Sequence, residues 1–311
     1  MAMLLAPEPI VDFSKRDTLR AMIRRSFFTG LLIAFCWLVP ASLAAEDSPV
    51  TYQHLVQHDP NYSIYILSID LTDPRVAVHV CRAGAPPKGD QHWLTTLLPP
   101  SEIAQREGYQ IAINGDFFDA DKTRDIEGKN TGYVKGKAAA PVGPAMTDGK
   151  LWCSHATTRP IVEVDNKDHV TITDFEPDSM SSSVRQIIGG NPVIVRDGKK
   201  LPLKSRFALA RHPRTAVGIS KDGAKLILLV VDGRQPDISI GMTLSELADQ
   251  MLHAGCYNAI NLDGGGSTVM VAYDPKLHHL RILNSPSDGK ERSVADALCV
   301  EVHAPMPDLS K

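Results

Sequence analysis

Short apolar segments that end in glycine- or aspartate-containing turns recur along the chain, and only one segment carries a clear helical pattern. Such alternation predicts many short strands and few helices. The predicted strands are Ser63 to Leu71, Val76 to Val80, Gln110 to Asn114, Ile161 to Val164, Val170 to Phe175, Pro192 to Val195, Thr215 to Ile219, Lys225 to Val231, Asn258 to Leu262, Thr268 to Tyr273 and Ala297 to His303. The sequence therefore predicts an α+β fold, a single domain of mixed, mainly antiparallel sheets.

The predicted helix is Thr243 to Ala254, where apolar residues recur at the spacing of one helix face. Thr243 and Glu246 match a capping box, and Gly255 stands where the helix should end. A weaker helical pattern covers Leu94 to Glu107. The polar, glycine-rich stretch Asp121 to Pro144 predicts a long surface loop.

The first 45 residues have the order of a secretory signal peptide. Arg24 and Arg25 precede the apolar run Phe27 to Val39, which Pro40 and small residues follow. The run is shorter than the roughly 20 residues that a membrane-spanning helix needs. We expect residues 1–45 to be removed, with Met22 as an alternative start, and residues 46–311 to form the mature domain. This predicts a periplasmic or secreted protein without stable membrane insertion after cleavage.

Composition narrows the class of protein further. The chain has 43% apolar and 22% charged residues and a formal net charge of −3, which is typical of a globular protein. Because no basic tract is present to neutralise phosphates, we predict no binding to nucleic acid. Four cysteines remain after cleavage, and both disulfides and buried free thiols are open for them: Cys81, Cys153, Cys256 and Cys299.

The segment Asn258 to Val271, NAINLDGGGSTVMV, carries the strongest candidate site. A tight Asp-Gly hairpin would need one glycine, whereas three in a row can present amide groups to an anion. Asp263, at the end of the strand, is the first candidate for a catalytic carboxylate. The candidate binding residues beside it are Asn261, Gly264, Gly265, Gly266, Ser267 and Thr268.

Two other strands adjoin charged residues. The apolar strand in LILLVVDGRQP ends in Asp232 and Arg234, a second candidate carboxylate and a candidate phosphate-binding guanidinium. Arg214 enters the strand of HPRTAVGIS, and its planar guanidinium can bind phosphate oxygens bidentately. A simple Asp-Gly turn at Asp232 and a solvated strand-edge arginine at Arg214 are the alternatives.

A third strand ends in AINGDFFD, where Asn114 and Asp116 can hydrogen-bond sugar hydroxyls. A turn with core aromatics explains the same pattern. Gly189 and Gly190, before another strand, predict a structural turn. Because the candidate side chains sit at strand ends, where a rigid sheet can hold them, we expect them to converge on one pocket.

Taken in order, these motifs resemble the phosphodiester glycosidase family from about Ile111 to Val300. The most specific parts are NGDFF, GGNPVIV, RTAVG, VDGRQP and NLDGGGST. Many members have glycine where Asp116 stands. The resemblance implies a hydrolase that cleaves the glycosidic bond of a sugar-1-phosphodiester, in a cell-envelope or exopolysaccharide glycan.

The candidate residues suit that chemistry. Cleavage of a glycosyl phosphate forms an oxocarbenium-like transition state beside a departing phosphate, which calls for cationic and amide donors and for a carboxylate. Arg214, Arg234 and the glycine amides fit the first need. Asp263 and Asp232 fit the second, and which of them acts as nucleophile or base stays open.

Two other functions fit part of the pattern. In a metal-dependent phosphodiesterase, calcium or magnesium would be held by Asp116, Asp119, Asp232 and Asp263. A non-catalytic periplasmic polysaccharide-binding protein would bind glycan without turnover. No HxH or HExxH pattern indicates a transition metal. For the glycosidase we predict no cofactor, with a structural or catalytic calcium or magnesium ion left open.

Overall fold

The computed structural model describes residues 47–89, 91–121, 132–154 and 159–310. Ala45–Lys311 forms one compact unit. The predicted signal peptide lies outside the described residues. No helix among the described residues is long and apolar enough to cross a membrane.

Strands dominate the described part of the chain, and every pairing between them is antiparallel. In chain order they are β1 Val50–Gln57, β2 Tyr62–Asp70, β3 Val76–Arg82, β4 Thr95–Thr96, β5 Ile111–Asn114, β6 Phe118–Ala120, β7 Ala138–Pro141, β8 Ala145–Thr147, β9 Lys150–Cys153, β10 Pro160–Asp165, β11 Val170–Asp174, β12 Val184–Gly189, β13 Val193–Arg196, β14 Lys199–Lys200, β15 Arg214–Ile219, β16 Lys225–Val231, β17 Asn258–Asn261, β18 Met270–Asp274, β19 His279–Ile282 and β20 Asp296–Val302.

The helices are α1 Pro100–Glu107, α2 Arg206–Leu209 and α3 Leu244–His253, and a 3₁₀ turn covers Gly265–Ser267. The capping box predicted for α3 is confirmed, because the Thr243 hydroxyl accepts from the Glu246 N–H at 3.2 Å and the Glu246 carboxylate accepts from the Thr243 N–H at 2.9 Å. With strands so prevalent, the fold is mainly β, and the predicted α+β class fits only roughly.

The central sheet has seven strands in the order β1-β2-β16-β15-β17-β13-β14. After the exposed Lys225, strand β16 is apolar because both of its faces are covered. Ile227 and Leu229 pack with Leu247 of α3 on one face. Leu226 and Leu228 join the main core on the other face. Alternating side chains of one strand thus enter two cores.

Two five-stranded sheets, β19-β18-β5-β20-β3 and β11-β10-β12-β8-β9, cover the second face of the central sheet. A small sheet, β4-β7-β6, completes the fold. It lies partly within Asp121 to Pro144, so the prediction of a continuous loop there is wrong at Ala138–Pro141. Short alanine strands such as β7 carry too little periodicity to be recognised from sequence. Cys81, Cys256 and Cys299 are buried free thiols, and Cys153 is buried with its Sγ donating to the carbonyl of Pro141 at 3.5 Å.

Candidate functional site

The antiparallel pairings bring several strand ends to one edge of the central sheet. Arg214 opens β15 opposite Val231, the last residue of β16, and Asn261 ends β17 opposite Ala216. The end of β5 reaches the same edge from the neighbouring sheet, because the Asp263 N–H donates to the carbonyl of Gly115 at 3.1 Å. The fold therefore brings together the chain segments that carry the predicted site.

A pocket of about 320 Å³ opens at this edge. Its described lining combines three guanidinium groups, an imidazole and one carboxylate with a glycine loop and two aromatic rings. The lining residues are Tyr133, Phe207, His212, Arg214, Arg234, Asp263, Gly264, Gly265, Gly266 and Arg292. Arginine donors match the oxygens of a phosphate, so the pocket suits a phosphorylated ligand.

Asp263 supplies the carboxylate of the pocket. Its Oδ1 accepts from the Gly264 N–H at 2.8 Å. Burial raises the pKa of Asp263, whereas hydrogen bonds from Ser267 and Gly264 and the charges of Arg292 and Arg234 oppose that rise. The nearby arginines therefore favour the ionised form, which a nucleophile or base requires.

Arg214 lies fully buried in the wall of the pocket. Its Nε donates to the carbonyl of Met242 at 2.9 Å, and its Nη2 donates to two carbonyls of the α2 region. The guanidinium stacks on the Phe207 ring at 4.5 Å. Burial and the charge of Arg234 lower the pKa of Arg214 to about 10, which leaves it protonated at neutral pH. Through Nε and Nη2, Arg214 therefore holds the backbone of the loop around it. Its Nη1 has no hydrogen bond to the described residues.

Arg234 is the least constrained cation of the pocket. Its guanidinium forms no hydrogen bond or ion pair with any residue that the structure describes. Its backbone has a φ of 60°, a left-handed conformation uncommon for a side-chain-bearing residue and often found at functional sites. A Cβ on Gly265 would stand 2.8 Å from Arg234 Nη2, so glycine is needed for the arginine to lie against the loop.

Arg292 is a pocket residue that the sequence analysis missed. Its Nη2 donates to Asp288 at 2.6 Å, and its guanidinium lies over the Tyr133 ring at 4.5 Å. A Cβ on Gly266 would overlap this guanidinium. Arg292 lies in a polar stretch of KERSVAD with no strand end to mark it, so the sequence held no positional signal for it.

His212 and Phe207 were also missed as pocket residues, although HPRTAVGIS contains the histidine. Burial and the charges of Arg214 and Arg234 lower the pKa of His212, so its imidazole is neutral at pH 7. Its Nδ1 is buried with no hydrogen-bond partner among the described residues. The sequence signal that could have identified His212 is its position two residues before Arg214, the first residue of a strand.

The glycine loop borders the pocket but is not the open amide nest that the sequence suggested. The Gly264 N–H is engaged by Asp263, and the Gly265 N–H donates to the carbonyl of Pro213 at 2.9 Å. Of the three, only the Gly266 N–H has no such bond within the described residues. The glycines chiefly allow two arginine side chains to approach the loop closely.

Asn114 and Asn261 lie beneath the pocket and are fully buried. Asn114 Nδ2 donates to the carbonyl of Asp263 at 2.7 Å, and its Oδ1 accepts from the Thr215 hydroxyl at 2.7 Å. Asn261 Nδ2 donates to the carbonyls of Asn191 and its own neighbour. Neither amide lines the pocket. Their amide nitrogens hold backbone carbonyls, so direct substrate contact by either residue stays a prediction that its placement does not favour.

Ser267 and Thr268 are likewise buried and absent from the lining. Arg292 Nη1 approaches the Ser267 hydroxyl at 3.5 Å, and that hydroxyl also bonds to Asp263. Thr268 Oγ1 has no hydrogen-bond partner among the described residues. Ser267 therefore supports the charged groups of the pocket from behind.

Asp232 does not line the pocket, contrary to the expected convergence. Its Oδ1 accepts from Asn284 Nδ2 at 2.9 Å and from the Ser285 N–H at 3.0 Å. Burial raises the pKa of Asp232 to about 6. This carboxylate ties the segment after β19 to the end of β16, and a catalytic role for it remains a prediction that its placement does not favour.

Asp116 is enclosed rather than open to a sugar. Its carboxylate accepts from the N–H groups of Phe117 at 2.8 Å and Gly143 at 2.6 Å. A Cβ on Gly143 or Gly189 would lie 2.5 Å from Asp116 Oδ2, so both glycines are needed to pack against it. Burial raises the pKa of Asp116 to about 6.

A second acid, Asp296, lies beside Asp116 and escaped the sequence analysis. Its Oδ1 accepts from the Asp116 N–H at 2.9 Å, while its Oδ2 is buried with no hydrogen-bond partner among the described residues. Burial and the charges of Asp116 and Asp263 raise its pKa well above the ordinary value. Asp296 opens strand β20 within an apolar run, where a buried acid leaves no sequence signal.

The four aspartates considered for a cation do not form one ligand set. Asp232 and Asp116 are held by the separate groups described above, and Asp119 lies exposed on β6. Among the described residues, no group of three or more histidine, cysteine, aspartate or glutamate side chains is arranged to hold a metal ion.

Known proteins resemble this chain in both sequence and fold. Bovine N-acetylglucosamine-1-phosphodiester alpha-N-acetylglucosaminidase is 27% identical over 182 residues, which are 55% of this chain and 32% of the bovine protein. The SPbeta prophage-derived uncharacterized protein YomE of Bacillus subtilis is 41% identical over 90 residues, 29% of this chain and 13% of YomE. The chain thus spans less than a third of the length of these curated relatives.

Solved structures give the same fold. The catalytic domain of the zebrafish N-acetylglucosamine-1-phosphodiester alpha-N-acetylglucosaminidase superposes with a TM-score of 0.58 at 22% identity, covering 82% of this chain and 83% of that one. A hypothetical protein from Synechocystis superposes with a TM-score of 0.56 at 14% identity, covering 82% and 62%. The family model for phosphodiester glycosidase matches residues 107–301, more than half of the chain. The chain therefore belongs to the phosphodiester glycosidase family.

Proposed function

We propose that this protein is an exported hydrolase that cleaves the glycosidic bond of a sugar-1-phosphodiester in a cell-envelope or exopolysaccharide glycan. The observation that carries the proposal is one pocket lined by Arg214, Arg234 and Arg292 together with the Asp263 carboxylate. Phosphate is a good leaving group, so the reaction needs charge stabilisation more than a strong general acid. Family membership supports the same reaction class.

The cationic and the anionic residues of the pocket have different roles. The guanidinium of Arg234, which no described side chain engages, binds the phosphate together with Arg292 and Nη1 of Arg214. These cations stabilise the negative charge that grows on the phosphate as the glycosidic bond breaks. Asp263 faces the anomeric carbon as nucleophile or base, and both roles need its ionised form. Asn114 positions Asp263 by holding its carbonyl.

Hydrolysis in H₂¹⁸O identifies the bond that breaks. The first substrate is a methyl or nitrophenyl diester of N-acetylglucosamine-1-phosphate, a choice guided by the bovine relative's name. Attack at the sugar carbon places ¹⁸O in the released sugar and yields an unlabelled phosphate monoester. Label in the phosphate, with activity that a chelator removes, would identify the metal-dependent phosphodiesterase instead.

A polysaccharide-binding protein would give no product in this assay while retaining the glycan on a matrix. The Asp263→Asn variant separates these cases further. In a hydrolase it abolishes turnover and retains binding, because asparagine keeps the shape but not the charge. In a binding protein the same substitution leaves glycan binding, the only property that can be measured, nearly unchanged. Export is tested separately, since periplasmic protein should begin near Ala45 if residues 1–45 are a signal peptide.

A further inference from the structure

A second cavity of about 550 Å³ adjoins the pocket, and Phe207 lines both. On one side the Phe207 ring stacks on Arg214 and lies 6.3 Å from the His212 ring. On the other side it meets the Phe117 ring edge-on at 6.0 Å. Phe207 is therefore the lining residue that the two cavities share, and it is 38% exposed.

The second cavity combines apolar walls with two cations. Phe117, Pro192 and Leu203 supply broad apolar faces. Lys204 is exposed and has no ion pair with any described residue. Arg159 is more enclosed, with a side chain 19% exposed, and its one ionic contact within the described residues is to Asp116 at 4.0 Å. Its Nε is buried without a hydrogen-bond partner there.

The proposed reaction leaves the second cavity for the alcohol side of the phosphodiester. Under the proposed function, the anomeric carbon must meet Asp263 and the phosphate must meet the arginines, so both occupy the first pocket. That pocket is near the low end of the roughly 300–1,000 Å³ typical of ligand sites. The leaving group is the phosphate monoester of the alcohol, and its alcohol part would extend past Phe207 into the second cavity.

We propose that the second cavity is a subsite for the leaving side of the substrate, and that it selects an anionic sugar or polyol residue there. Arg159 and Lys204 bind the carboxylate or phosphate of that residue, while Phe117 and Leu203 pack against its ring or chain. The protein is then specific for an acidic phosphate-linked glycan rather than a neutral one. This inference rests on the proposed function and assigns the substrate class of the same site.

The test compares two phosphodiesters with the same N-acetylglucosamine-1-phosphate and either glucose or glucuronic acid as the alcohol, with glycerol phosphate as a third alcohol. We expect the anionic alcohols to raise kcat/KM about tenfold over glucose. Lys204→Gln should reduce that preference about 2- to 5-fold, as for an exposed charge pair. Arg159→Gln should remove most of it, because hydrogen bonds to enclosed charges are stronger, and Arg159→Lys should restore part of it. A response to glycerol phosphate but not to glucuronate would identify phosphate as the bound anion.

Lys225→Gln is the matched control. Lys225 is also exposed, but it starts β16, the end of the strand opposite to the pocket edge. It should leave all three substrates unchanged. Equal kcat/KM for the neutral and anionic alcohols in the unmodified protein would overturn the proposal, as would an equal loss for all three substrates in Lys204→Gln.

A binding measurement separates this inference from the proposed function. Phosphonate analogues of the glucose and glucuronate substrates, in which a carbon replaces the bridging oxygen, bind without being cleaved. The proposal requires tighter binding of the glucuronate analogue by the intact domain and a smaller difference in Lys204→Gln. If no diester is hydrolysed but this difference holds, the subsite stands and the hydrolase does not. If hydrolysis occurs without the difference, the hydrolase stands and the subsite does not.

Discussion

Gly266→Ala should disable the pocket while leaving the fold nearly intact. A Cβ at this position overlaps the guanidinium of Arg292 and the carboxylate of Asp288. Both are far ends of flexible side chains, so they can move away from the new methyl group. The Arg292 guanidinium then leaves the place where it acts on Asp263 and where the proposed function puts the substrate phosphate.

The two effects differ in size. Displacement disturbs the Arg292–Asp288 ion pair, whose carboxylate is 36% exposed and which is worth about 0.2–1 kcal/mol of unfolding free energy as a surface pair. For a domain of this size that lowers Tm by no more than about 4 °C. A charged hydrogen bond lost from the transition state costs about 1.5–3 kcal/mol, which corresponds to a roughly 10- to 150-fold fall in kcat/KM.

The assay is a double-mutant cycle on the nitrophenyl diester, with Tm measured in parallel. Arg292→Ala should lower kcat/KM to a similar extent, and Gly266→Ala in the Arg292→Ala background should add little further loss. Wild-type kinetics in Gly266→Ala would show that catalysis does not use the position of Arg292. Fully additive losses would show that the methyl group acts on another part of the pocket.

The remaining predictions concern the other charges of the site. Asp263→Asn should abolish turnover of both a phosphodiester and a substrate with a neutral leaving group, whereas Arg234→Gln should impair chiefly the phosphodiester; equal effects on both substrates would contradict the assigned roles. The kcat/KM profile should fall on the acid side at a pH above the ordinary aspartate pKa, because Asp263 must be ionised and burial raises its pKa. Arg234→Gln should move that limb to still higher pH, since the Arg234 charge lowers the pKa of Asp263; an unmoved or lowered midpoint in a pH titration would count against it. Gly189→Ala should lower unfolding free energy by about 1–3 kcal/mol, because the new Cβ meets Asp116 at 2.5 Å in a closed site, and urea denaturation measures this.

Strong local patterns allowed much of the fold to be predicted. The helix α3 and strands β15, β16 and β17 matched their predicted places closely, since capping residues and dense apolar runs mark them. Strand β1 was missed because its residues are largely exposed and carry no alternating apolar face. The short strand β7 was missed for a related reason, since alanines indicate neither a core nor a turn.

The site could be predicted where function coincides with a strand end. Arg214, Arg234 and Asp263 follow that rule, and the antiparallel pairings bring them together. Asp232 satisfies the same rule, yet its carboxylate turns to Asn284 and Ser285. A strand end fixes the position of a backbone but not the direction of a side chain. The sequence therefore indicated the edge of the sheet at which the pocket opens and overestimated how many of its polar groups face that pocket.

The motif glycines were recognised correctly as unusual but for a different physical reason. Three consecutive glycines suggested amides open to an anion, whereas Gly264 and Gly265 donate their amides to the protein itself. Their missing side chains matter more, because Arg234 and Arg292 occupy the space that Cβ atoms would fill. In this fold an anion would meet side-chain cations laid over a glycine surface. Such a surface can be predicted from the sequence only when the arginines that cover it are recognised as well. Arg292 was not recognised, because it lies 26 positions beyond Gly266 along the chain.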